Sequence, residues 1–422
     1  MNRLKRIFTC LIALLIPFTM VLGACGKSNK DDDGNKDNFP YYKVKENMKM
    51  DGQLLQKEGI EFPASLWQAP EYERYETGDK GNVKAYFINS YNDNKVFCYV
   101  GIPENASKDN KVPAMVLVHG ATGTAFDDWV SYWVDKGYAA IAMDTEGRMP
   151  GLSNSTYSPH VVDSVRQHGP LNAAFNDCEL AVEEQWAYNA IAAVISSRSF
   201  IGSFEAVDNN KVGICGVSYG AWLTCLNIGY DDRYQVAVPV YGCLDNTNSA
   251  SRFGTYFATN QRAIALWDTL EPLEDNETPT LFVIGNSDTA FALDSVKRCA
   301  KATKYGQNLI IPGFEHGHCQ LMSVDEIYAF VQEVMFGTTP LIRFTSEIVD
   351  GLVTYVTANG VKLSSATVFY TLDDKLNTET EWLAEPAQFD ATNIYFNVDP
   401  AIKHYFVLAF DEDGNRMSSL VS

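Results

Sequence analysis

Short apolar runs alternate with longer stretches of helical spacing from about residue 83 to residue 337, and this alternation constrains the fold more than any other feature. Runs such as AMVLV (114–118) and YAAIAMD (138–144) are apolar almost throughout, which is typical of strands buried on both faces of a sheet. ELAVEEQWAYNAIAAVISS (179–197) carries apolar residues at helical spacing with no breaker. Strands that alternate with helices predict a mostly parallel sheet covered by helices on both faces.

A different pattern begins after residue 340. Residues 341–422 contain short alternating segments, such as LVTYVTA and YFVLAF, separated by turn signals such as DEDG. Short alternating segments of this kind are typical of an all-β region. We therefore predict an α/β domain over residues 41–337, followed by a small sandwich-like β domain over residues 341–422.

The N-terminal segment has the pattern of an export signal. Basic residues precede an apolar stretch from Ile7 to Leu22, which is short and contains a proline, as in a secretory signal peptide. LGAC at 22–25 resembles a bacterial lipobox, in which Cys25 becomes the lipidated first residue of the mature protein. We expect a lipoprotein anchored through Cys25; an ordinary signal peptide followed by an incidental cysteine is the alternative.

A lipobox also predicts where the protein is located. Residues 1–24 would be removed, and residues 25–40, which are almost entirely polar, would form a disordered tether. We expect the protein in the cell envelope, anchored to the membrane at the outer membrane or the cell surface, with the periplasmic face as the alternative.

Charge and cysteine content exclude several classes of partner and cofactor. Residues 1–24 carry three positive charges and no negative one, so the formal net charge of −20 becomes −23 without them, which argues against nucleic acid as a partner. The cysteines that remain after Cys10 and Cys25 lie mostly in apolar runs, and we interpret them as buried small hydrophobes with room for one bridged pair. No CxxC motif or Cys/His spacing indicates a metal. We expect no cofactor.

A serine lies between two glycines in ICGVSYGAW (214–222). A strand-like run, KVGICGV, comes before Ser218, and a helical run, AWLTCLNIG, follows it. A nucleophile elbow needs this context, because a sharp turn lifts the serine hydroxyl above the sheet and small flanking residues let strand and helix approach closely. The pattern predicts Ser218 as a nucleophile; a polar residue in a glycine-rich turn is the alternative.

A serine nucleophile needs a base, which is normally a histidine. Four of the six histidines lie in other parts of the chain: His119, His160, His168 and His404. The remaining two occur in FEHGH (314–318), directly after the strand-like run NLIIPGF. We predict His316 as the base, because it comes first off the strand and the small Gly317 lets its ring reach the serine. His318 is the alternative.

The orienting acid is expected in a loop after an earlier strand. Asp288 follows the apolar run of PTLFVIGNSD by four residues, and we predict it as the acid. Asp294 is the alternative, but it opens LDSVKRCAKAT and is interpreted as a helix cap.

An oxyanion needs two backbone N–H donors. The residue after the nucleophile, Tyr219, supplies the first. The loop LVHGATG (117–123) is expected to supply the second, from Ala121 or, next, from Thr122. His119 is then a structural residue whose ring is hydrogen-bonded, and not a second base.

These segments resemble a known fold. VPAMVLVHGATGTAFDDWVSYWVDKGYAAIAMDTEG, the elbow and TPTLFVIGNSDTAFALD resemble the α/β-hydrolase fold over roughly residues 80–335, and within it the acetyl xylan esterase and dienelactone hydrolase-like groups. The resemblance implies a Ser-Asp-His esterase, carried here by Ser218, Asp288 and His316. Dienelactone hydrolases have a cysteine at the position of Ser218, and oligomeric acetyl xylan esterases have RGQ where this chain has EGR at 146–148.

An acidic esterase that is tethered outside the membrane is suited to a neutral or acylated extracellular polymer as its substrate. The segment 145–178 is rich in glycine, proline and serine, and inserts at this position often form a cap over the pocket. Four of its residues and neighbours could line a sugar site or pack the cap on the body: Tyr157, His160, His168 and Trp186. Trp222, which follows the elbow, is expected in the core or the pocket wall.

We therefore expect a serine carboxylesterase that hydrolyses acyl esters, above all acetyl esters, on an extracellular polysaccharide or oligosaccharide. A prolyl-oligopeptidase-like peptidase shares the order of the triad, but it predicts an N-terminal propeller, and no 40-residue repeat precedes residue 83. A surface glycan-binding module on an inactive hydrolase scaffold is the third alternative, and it predicts a broken triad.

Overall fold

The computed structural model describes residues 60–150, 175–245, 251–274, 276–318, 320–338, 340–349 and 351–422. The predicted signal peptide, the predicted lipidation site Cys25 and the predicted tether lie outside the described residues, as do Tyr157, His160 and His168 of the insert. No helix in the described ranges is long and apolar enough to cross a bilayer.

The described residues form seventeen strands and eight α-helices. The strands are β1 (Tyr72–Arg74), β2 (Lys84–Asn89), β3 (Lys95–Gly101), β4 (Val112–Val118), β5 (Ala139–Met143), β6 (Val207–Val217), β7 (Val236–Val240), β8 (Thr280–Gly285), β9 (Gly306–Ile311), β10 (Phe344–Val349), β11 (Leu352–Thr357), β12 (Leu363–Thr371), β13 (Leu383–Pro386), β14 (Gln388–Phe389), β15 (Asn393–Asn397), β16 (His404–Asp411) and β17 (Arg416–Ser418). The helices are α1 (Asp127–Asp135), α2 (Trp186–Gly202), α3 (Tyr219–Tyr230), α4 (Arg252–Ala258), α5 (Gln261–Trp267), α6 (Leu270–Leu273), α7 (Leu293–Ala302) and α8 (Asp325–Phe336).

One large mixed sheet organises the molecule, in the order β1-β2-β3-β5-β4-β6-β7-β8-β9-β17-β16-β12-β13. The six strands from β5 to β9 in this order pair in parallel, whereas β1, β2 and β3 pair antiparallel at one end. The parallel strands are apolar because they are buried on both faces; all five residues of β5 and of β7, for example, are buried. The predicted mostly parallel sheet is confirmed.

The C-terminal region is all β, as predicted. Four of its strands form a separate antiparallel sheet, in the order β10-β11-β15-β14. The other four continue the large sheet, to which they are joined by the pairing of Ser418 in β17 with Asn308 in β9. Phe396 of the small sheet packs on Tyr370 and Tyr405 of the large one, so the two sheets face each other.

Parallel strands bring their carboxyl ends to one edge of the sheet, and the residues of interest follow those ends. The loops after β4, β5, β6, β7, β8 and β9 all start at this edge. Ser218 follows β6 directly, Asp288 follows β8, and His316 follows β9. The topology therefore gathers side chains that lie up to 98 residues apart in the chain.

The six described cysteines are all buried and unbridged: Cys98, Cys178, Cys215, Cys225, Cys243 and Cys299. Burial raises the pKa of each thiol for which a shift is resolved, as for Cys215, whose pKa is about 12. These cysteines serve as small core residues, as the sequence predicted.

Candidate active site

Ser218 lies at the sharp turn between β6 and α3, with φ 59° and ψ −119°. This conformation is strained for a residue with a side chain, and it is the backbone geometry expected of a nucleophile elbow. The turn is held by the Ser218 N–H, which donates to the carbonyl oxygen of Val240 over 2.9 Å. The side chain is 5% exposed. The predicted strand–turn–helix context is present.

The glycines on each side of Ser218 are required by close backbone contacts. A Cβ on Gly216 would overlap the carbonyl oxygen of Gly220, and a Cβ on Gly220 would overlap the carbonyl oxygen of Val118. The second overlap shows how closely α3 approaches the end of β4. Small residues at these two positions therefore allow the elbow to form.

A continuous row of hydrogen bonds joins Ser218, His316 and Asp288. The His316 Nε2 atom lies 2.9 Å from the Ser218 hydroxyl, and its Nδ1 atom lies 2.8 Å from the Asp288 carboxylate. An ionised carboxylate only accepts, so Nδ1 carries the proton and Nε2 is left to accept the serine proton. This is the arrangement of a nucleophile, its base and the acid that orients the base.

Asp288 is held firmly by its own loop. Its Oδ1 atom accepts from the backbone N–H groups of Ala290 and Phe291, each over 2.8 Å. Its Oδ2 atom remains for His316. Both carboxylate oxygens of this buried group are thus hydrogen-bonded, which offsets the cost of burying it.

The alternative acid, Asp294, has other partners. It lies in the first turn of α7, where it accepts from the N–H of Ser295 over 2.8 Å and pairs with Arg298 over 3.1 Å. The expectation that it caps the helix was wrong in position, because Ala292 is the residue that precedes the helix. Its negative charge near the helix N-terminus is nonetheless favourable.

The alternative base, His318, faces a different part of the site. Its ring packs against Phe126 at 5.3 Å and Trp129 at 6.4 Å between ring centres, and its Nε2 atom lies next to Gly120. Burial, together with the neighbouring His119, lowers the pKa of His318 to about 4. His316, rather than His318, is within hydrogen-bond distance of Ser218.

The loop after β4 borders the nucleophile. A Cβ on Gly120 would lie 2.9 Å from the Cβ of Ser218, so the loop packs directly on the elbow. The His119 ring is buried, and its two nitrogens lie 2.7 Å from the Gly120 carbonyl oxygen and 2.9 Å from the N–H of Thr145. Nε2 accepts from Thr145, so Nδ1 donates to Gly120. Both ring nitrogens are engaged, as predicted.

The structure distinguishes between the two predicted donors of this loop. The N–H of Thr122 donates to the Glu146 carboxylate over 3.0 Å and is therefore committed elsewhere. Ala121 remains the loop residue predicted to hold an oxyanion. Tyr219, predicted as the other donor, is the first residue of α3. Amides at a helix N-terminus have no intrahelical acceptor, which suits that role.

Two tyrosine contacts that the sequence analysis missed support the base. Tyr241 follows β7 with φ 73°, and its hydroxyl donates to the carbonyl oxygen of Glu315 over 2.6 Å. Its ring lies 4.6 Å from the His316 ring, and Phe291 lies on His316 at 6.1 Å. The only feature of the sequence that could have indicated this role is the position of Tyr241 at the end of a buried strand.

Aromatic side chains surround the elbow. Trp186 is buried and stacks on Trp222 at 5.7 Å, and its indole N–H donates to the carbonyl oxygen of Thr145. Of its two predicted roles, Trp186 therefore has the packing role, and it does not line a sugar site. Trp222 is also buried, as expected. Tyr219 contacts Phe253 at 4.6 Å on the side of the elbow that leads to α4.

Among the described residues, no group of three or more His, Cys, Asp or Glu side chains is arranged to hold a metal ion. The arrangement around Ser218 instead has the parts of a covalent acyl-transfer site: a nucleophile, a base, an orienting acid and backbone donors at the elbow.

Comparisons with known proteins agree with the fold described above. The prolyl oligopeptidase family matches residues 176–337. The structure is similar to an acetyl xylan esterase from a Paenibacillus species, with a TM-score of 0.51 and 15% identity over 64% of this chain and 91% of that chain. This likeness shows the α/β-hydrolase fold.

Two further solved structures are similar at lower scores. An acetyl xylan esterase 1 from a Thermoanaerobacterium species has a TM-score of 0.47 and 16% identity over 63% of this chain and 88% of that chain. A puromycin-hydrolysing peptidase of Mycobacterium tuberculosis has a TM-score of 0.44 and 19% identity over 67% of this chain and 42% of that chain. No curated protein is significantly similar in sequence to this chain.

Proposed function

We propose that this chain, which has the α/β-hydrolase fold, is a serine carboxylesterase that removes small acyl groups, above all acetyl groups, from an extracellular polysaccharide or oligosaccharide. The observation that carries the proposal is the hydrogen-bonded row from Ser218 through His316 to Asp288, with distances of 2.9 and 2.8 Å.

The row supports a two-step reaction. Ser218 attacks the ester carbonyl while His316 takes its proton, and the oxyanion is held by backbone N–H groups at Tyr219 and Ala121. His316 then gives the proton to the sugar oxygen as the bond from that oxygen to the acyl carbon breaks, so the sugar departs as an alcohol and the acyl group stays on Ser218. Water, activated by His316, releases the acid and restores the serine. Asp288 stays ionised and stabilises the imidazolium in both steps.

Three observations support a small acyl group and an external substrate. Ser218 is buried, and the aromatic rings of Tyr219 and Phe253 pack together beside the elbow, which favours a small acyl group over a bulky one. The net charge of −20 disfavours polyanionic substrates and suits a neutral glycan. The lipobox at Cys25 predicts a place outside the membrane, where such polymers occur.

The test uses the soluble form that begins at Asn38. Hydrolysis of p-nitrophenyl acetate and acetate release from acetylated xylan are measured for the wild type and Ser218→Ala. Loss of the nucleophile is expected to lower kcat by several powers of ten on both substrates. The matched control is Ser365→Ala, which removes an exposed serine of β12 and is expected to leave both rates unchanged.

The outcomes separate the parts of the proposal. Activity on p-nitrophenyl acetate alone would retain the esterase and exclude acetylated xylan as substrate. Equal rates for wild type and Ser218→Ala would overturn the nucleophile and favour a glycan-binding module.

A peptidase is the second candidate, because the family match at residues 176–337 is to prolyl oligopeptidases. The triad geometry serves ester and amide substrates alike, so substrate preference must be measured. Alanyl-prolyl p-nitroanilide and the acetyl ester are compared by kcat/KM in the same preparation. A higher value for the anilide would replace the esterase by the peptidase.

A further inference from the structure

The loops that carry the acid and the base lie against each other where they leave the sheet. The acid loop (286–292) follows β8 and the base loop (312–318) follows β9, and these strands pair in parallel up to Gly285 and Ile311. A Cβ on Gly285 would overlap the carbonyl oxygen of Phe314, so the two backbones are in close contact at this edge. Contacts between the loops here therefore bear on the position of the acid relative to the base.

The acid loop begins with a four-residue turn. The N–H of Asp288 donates to the carbonyl oxygen of Gly285 over 3.4 Å, which closes the turn over Asn286 and Ser287. Hydrogen bonds of this kind usually span about 2.7–3.2 Å, so the closing bond is weak. The turn that places Asp288 therefore depends on contacts with its surroundings.

The base loop begins with a turn of its own. The N–H of Phe314 donates to the carbonyl oxygen of Ile311 over 3.2 Å, with Pro312 and Gly313 at the two central positions. Gly313 has φ 71°. A proline at the second position and a glycine with positive φ at the third are the features of a type II turn. The Gly313 N–H takes no part in closing this turn and is free to bond a group outside it.

Asn286 joins the two turns. Its side-chain oxygen Oδ1 accepts from the N–H of Gly313 over 3.1 Å. Further along the same loops, the Asp288 carboxylate and the His316 Nδ1 atom lie 2.8 Å apart. The loops are thus joined twice, once by Asn286 next to the sheet and once by the acid–base pair above it. The first bond holds the loops at the separation that the second requires.

A tryptophan of the C-terminal β region contacts the same residue. The indole N–H of Trp382, which precedes β13, donates to the backbone carbonyl oxygen of Asn286 over 3.1 Å. This carbonyl belongs to the central peptide of the first turn, so the bond fixes the orientation of that peptide. The indole packs on Phe406 at 5.1 Å between ring centres, and Phe406 stacks on Phe369 at 5.0 Å. The β region therefore supports the acid loop directly.

We propose that Asn286 and Trp382 are positioning residues for the triad: Asn286 joins the acid loop to the base loop, and Trp382 holds Asn286 from the C-terminal β region. Both act through the backbone of the loops that carry Asp288 and His316. This role rests on the proposed acyl-transfer function, because only a reaction that uses His316 as its base needs Asp288 aligned with it. Turnover then depends on a region that contributes no catalytic residue.

The first experiment measures kcat and KM for p-nitrophenyl acetate on the plateau of the pH profile. Asn286→Ala removes the acceptor for Gly313, whereas Asn286→Asp keeps an oxygen at the same place. Misplacement of a catalytic group lowers the rate, but this bond is exposed to solvent, which limits the effect. We expect Asn286→Ala to lower kcat by about 3- to 10-fold with KM nearly unchanged, and Asn286→Asp to recover most of the loss.

The matched control for Asn286 is Ser287→Ala, at an exposed position of the same turn, which should keep the wild-type kcat. Equal losses in Asn286→Ala and Asn286→Asp would overturn the joining role of the side-chain oxygen.

A second substitution tests the contribution of the C-terminal β region. Trp382→Phe keeps an aromatic ring against Phe406 and removes the N–H that bonds Asn286. We expect it to lower kcat by about 2- to 5-fold with KM nearly unchanged. Tyr395→Phe is the matched control, because it removes a hydroxyl that bonds Asp390 within the same region, and it should leave kcat unchanged. A wild-type kcat in Trp382→Phe would overturn the role of Trp382.

Proton NMR gives a readout that needs no substrate. A histidine N–H bonded to a carboxylate is charge-assisted, and its proton resonates far downfield of other N–H protons. Asp288→Asn, which removes the carboxylate, identifies the resonance of His316 by its loss. We expect this resonance to weaken or move upfield in Asn286→Ala and Trp382→Phe, and to stay as in the wild type in both controls.

The resonance also separates the two proposals. An unchanged resonance in Asn286→Ala would overturn the alignment role even if kcat fell, because the loss would then have another cause. If the wild type hydrolysed no ester or anilide, the proposed function would fail, and the resonance would still decide whether Asn286 aligns Asp288 with His316.

Discussion

The Tyr241 hydroxyl donates a hydrogen bond to the carbonyl oxygen of Glu315 over 2.6 Å and ties the end of β7 to the loop that carries His316. The same ring lies 4.6 Å from the His316 imidazole. Tyr241 thus contacts the base from the side and holds the residue before it. The position of the His316 ring relative to Ser218 therefore depends on Tyr241, a residue that takes no part in the reaction itself.

Removal of the Tyr241 hydroxyl should therefore affect turnover more than substrate binding. We expect Tyr241→Phe to lower kcat for p-nitrophenyl acetate by about 3- to 10-fold with little change in KM, and to cost about 1 kcal/mol of stability for the lost hydrogen bond. Steady-state kinetics and urea denaturation measure the two effects. Tyr256→Phe, at an exposed position of α4, is the control and should change neither. A kcat equal to that of the wild type would contradict the positioning role.

Asp288 is expected to be necessary for the correct tautomer of His316. Asparagine can donate to Nδ1, which would then lose its proton to Nε2 and leave no acceptor for the serine. We expect Asp288→Asn to lower kcat by about 10⁴-fold, the size seen when a triad acid is replaced in this way. Asp294→Asn is the matched control, because Asp294 bonds Ser295 and Arg298 instead. A larger loss in the control would reverse the assignment of the acid.

Gly220 is expected to be intolerant of a side chain. A Cβ there would overlap the carbonyl oxygens of Val118 and His119, which belong to backbone and cannot move aside cheaply. We expect Gly220→Ala to destabilise the protein by at least about 1–3 kcal/mol, measured by thermal and urea unfolding. Gly313→Ala is the comparison: it meets no atom and has only the cost of φ 71°, about 1–2 kcal/mol. A Gly220 variant as stable as the wild type would contradict the close approach of α3 to β4.

His318 should make the protein less stable in acid. Its folded pKa of about 4 is below the usual value of 6.5, so between these pH values the unfolded chain binds more protons. The loss of folding stability caused by His318 is absent above pH 6.5. It grows as the pH falls to about 4, where it reaches roughly 3 kcal/mol at most. The neighbouring His119 contributes to the lowered pKa of His318, so the variant must change His318 alone.

Replacement of His318 by a ring that cannot be protonated provides the test. His318→Phe keeps the packing on Phe126 and Trp129, and we expect it to reduce the loss of stability between pH 7 and pH 4.5. Urea unfolding at both pH values measures the difference. His404→Gln, at the start of β16, is the control and should follow the wild type. A His318→Phe variant with the same pH dependence as the wild type would contradict the lowered pKa.

Local sequence patterns were sufficient for the framework of this protein. Buried parallel strands read as continuous apolar runs, and the elbow at Ser218 has a signature within nine residues, because both depend on contacts between near neighbours in the chain. The serine, the acid and the histidine could be assigned in this order along the chain because each was expected in a loop that follows a strand and leaves the sheet at the same edge. These features could be predicted because the residues that determine a strand and the loop after it lie within the same short segment of the chain.

The tertiary structure decided which side chains meet. His316 and His318 are two residues apart in one loop, yet only His316 reaches Ser218, because Tyr241 and Phe291 from other strand ends fix its ring. The bond from Thr122 to Glu146, and the extension of the sheet from β9 into the C-terminal strands, join segments 24 and 110 residues apart. The sequence by itself determined the elements and the residues available for the site. Which of these residues form the site depended on packing between distant segments of the chain, and a local sequence pattern contains no information about that packing.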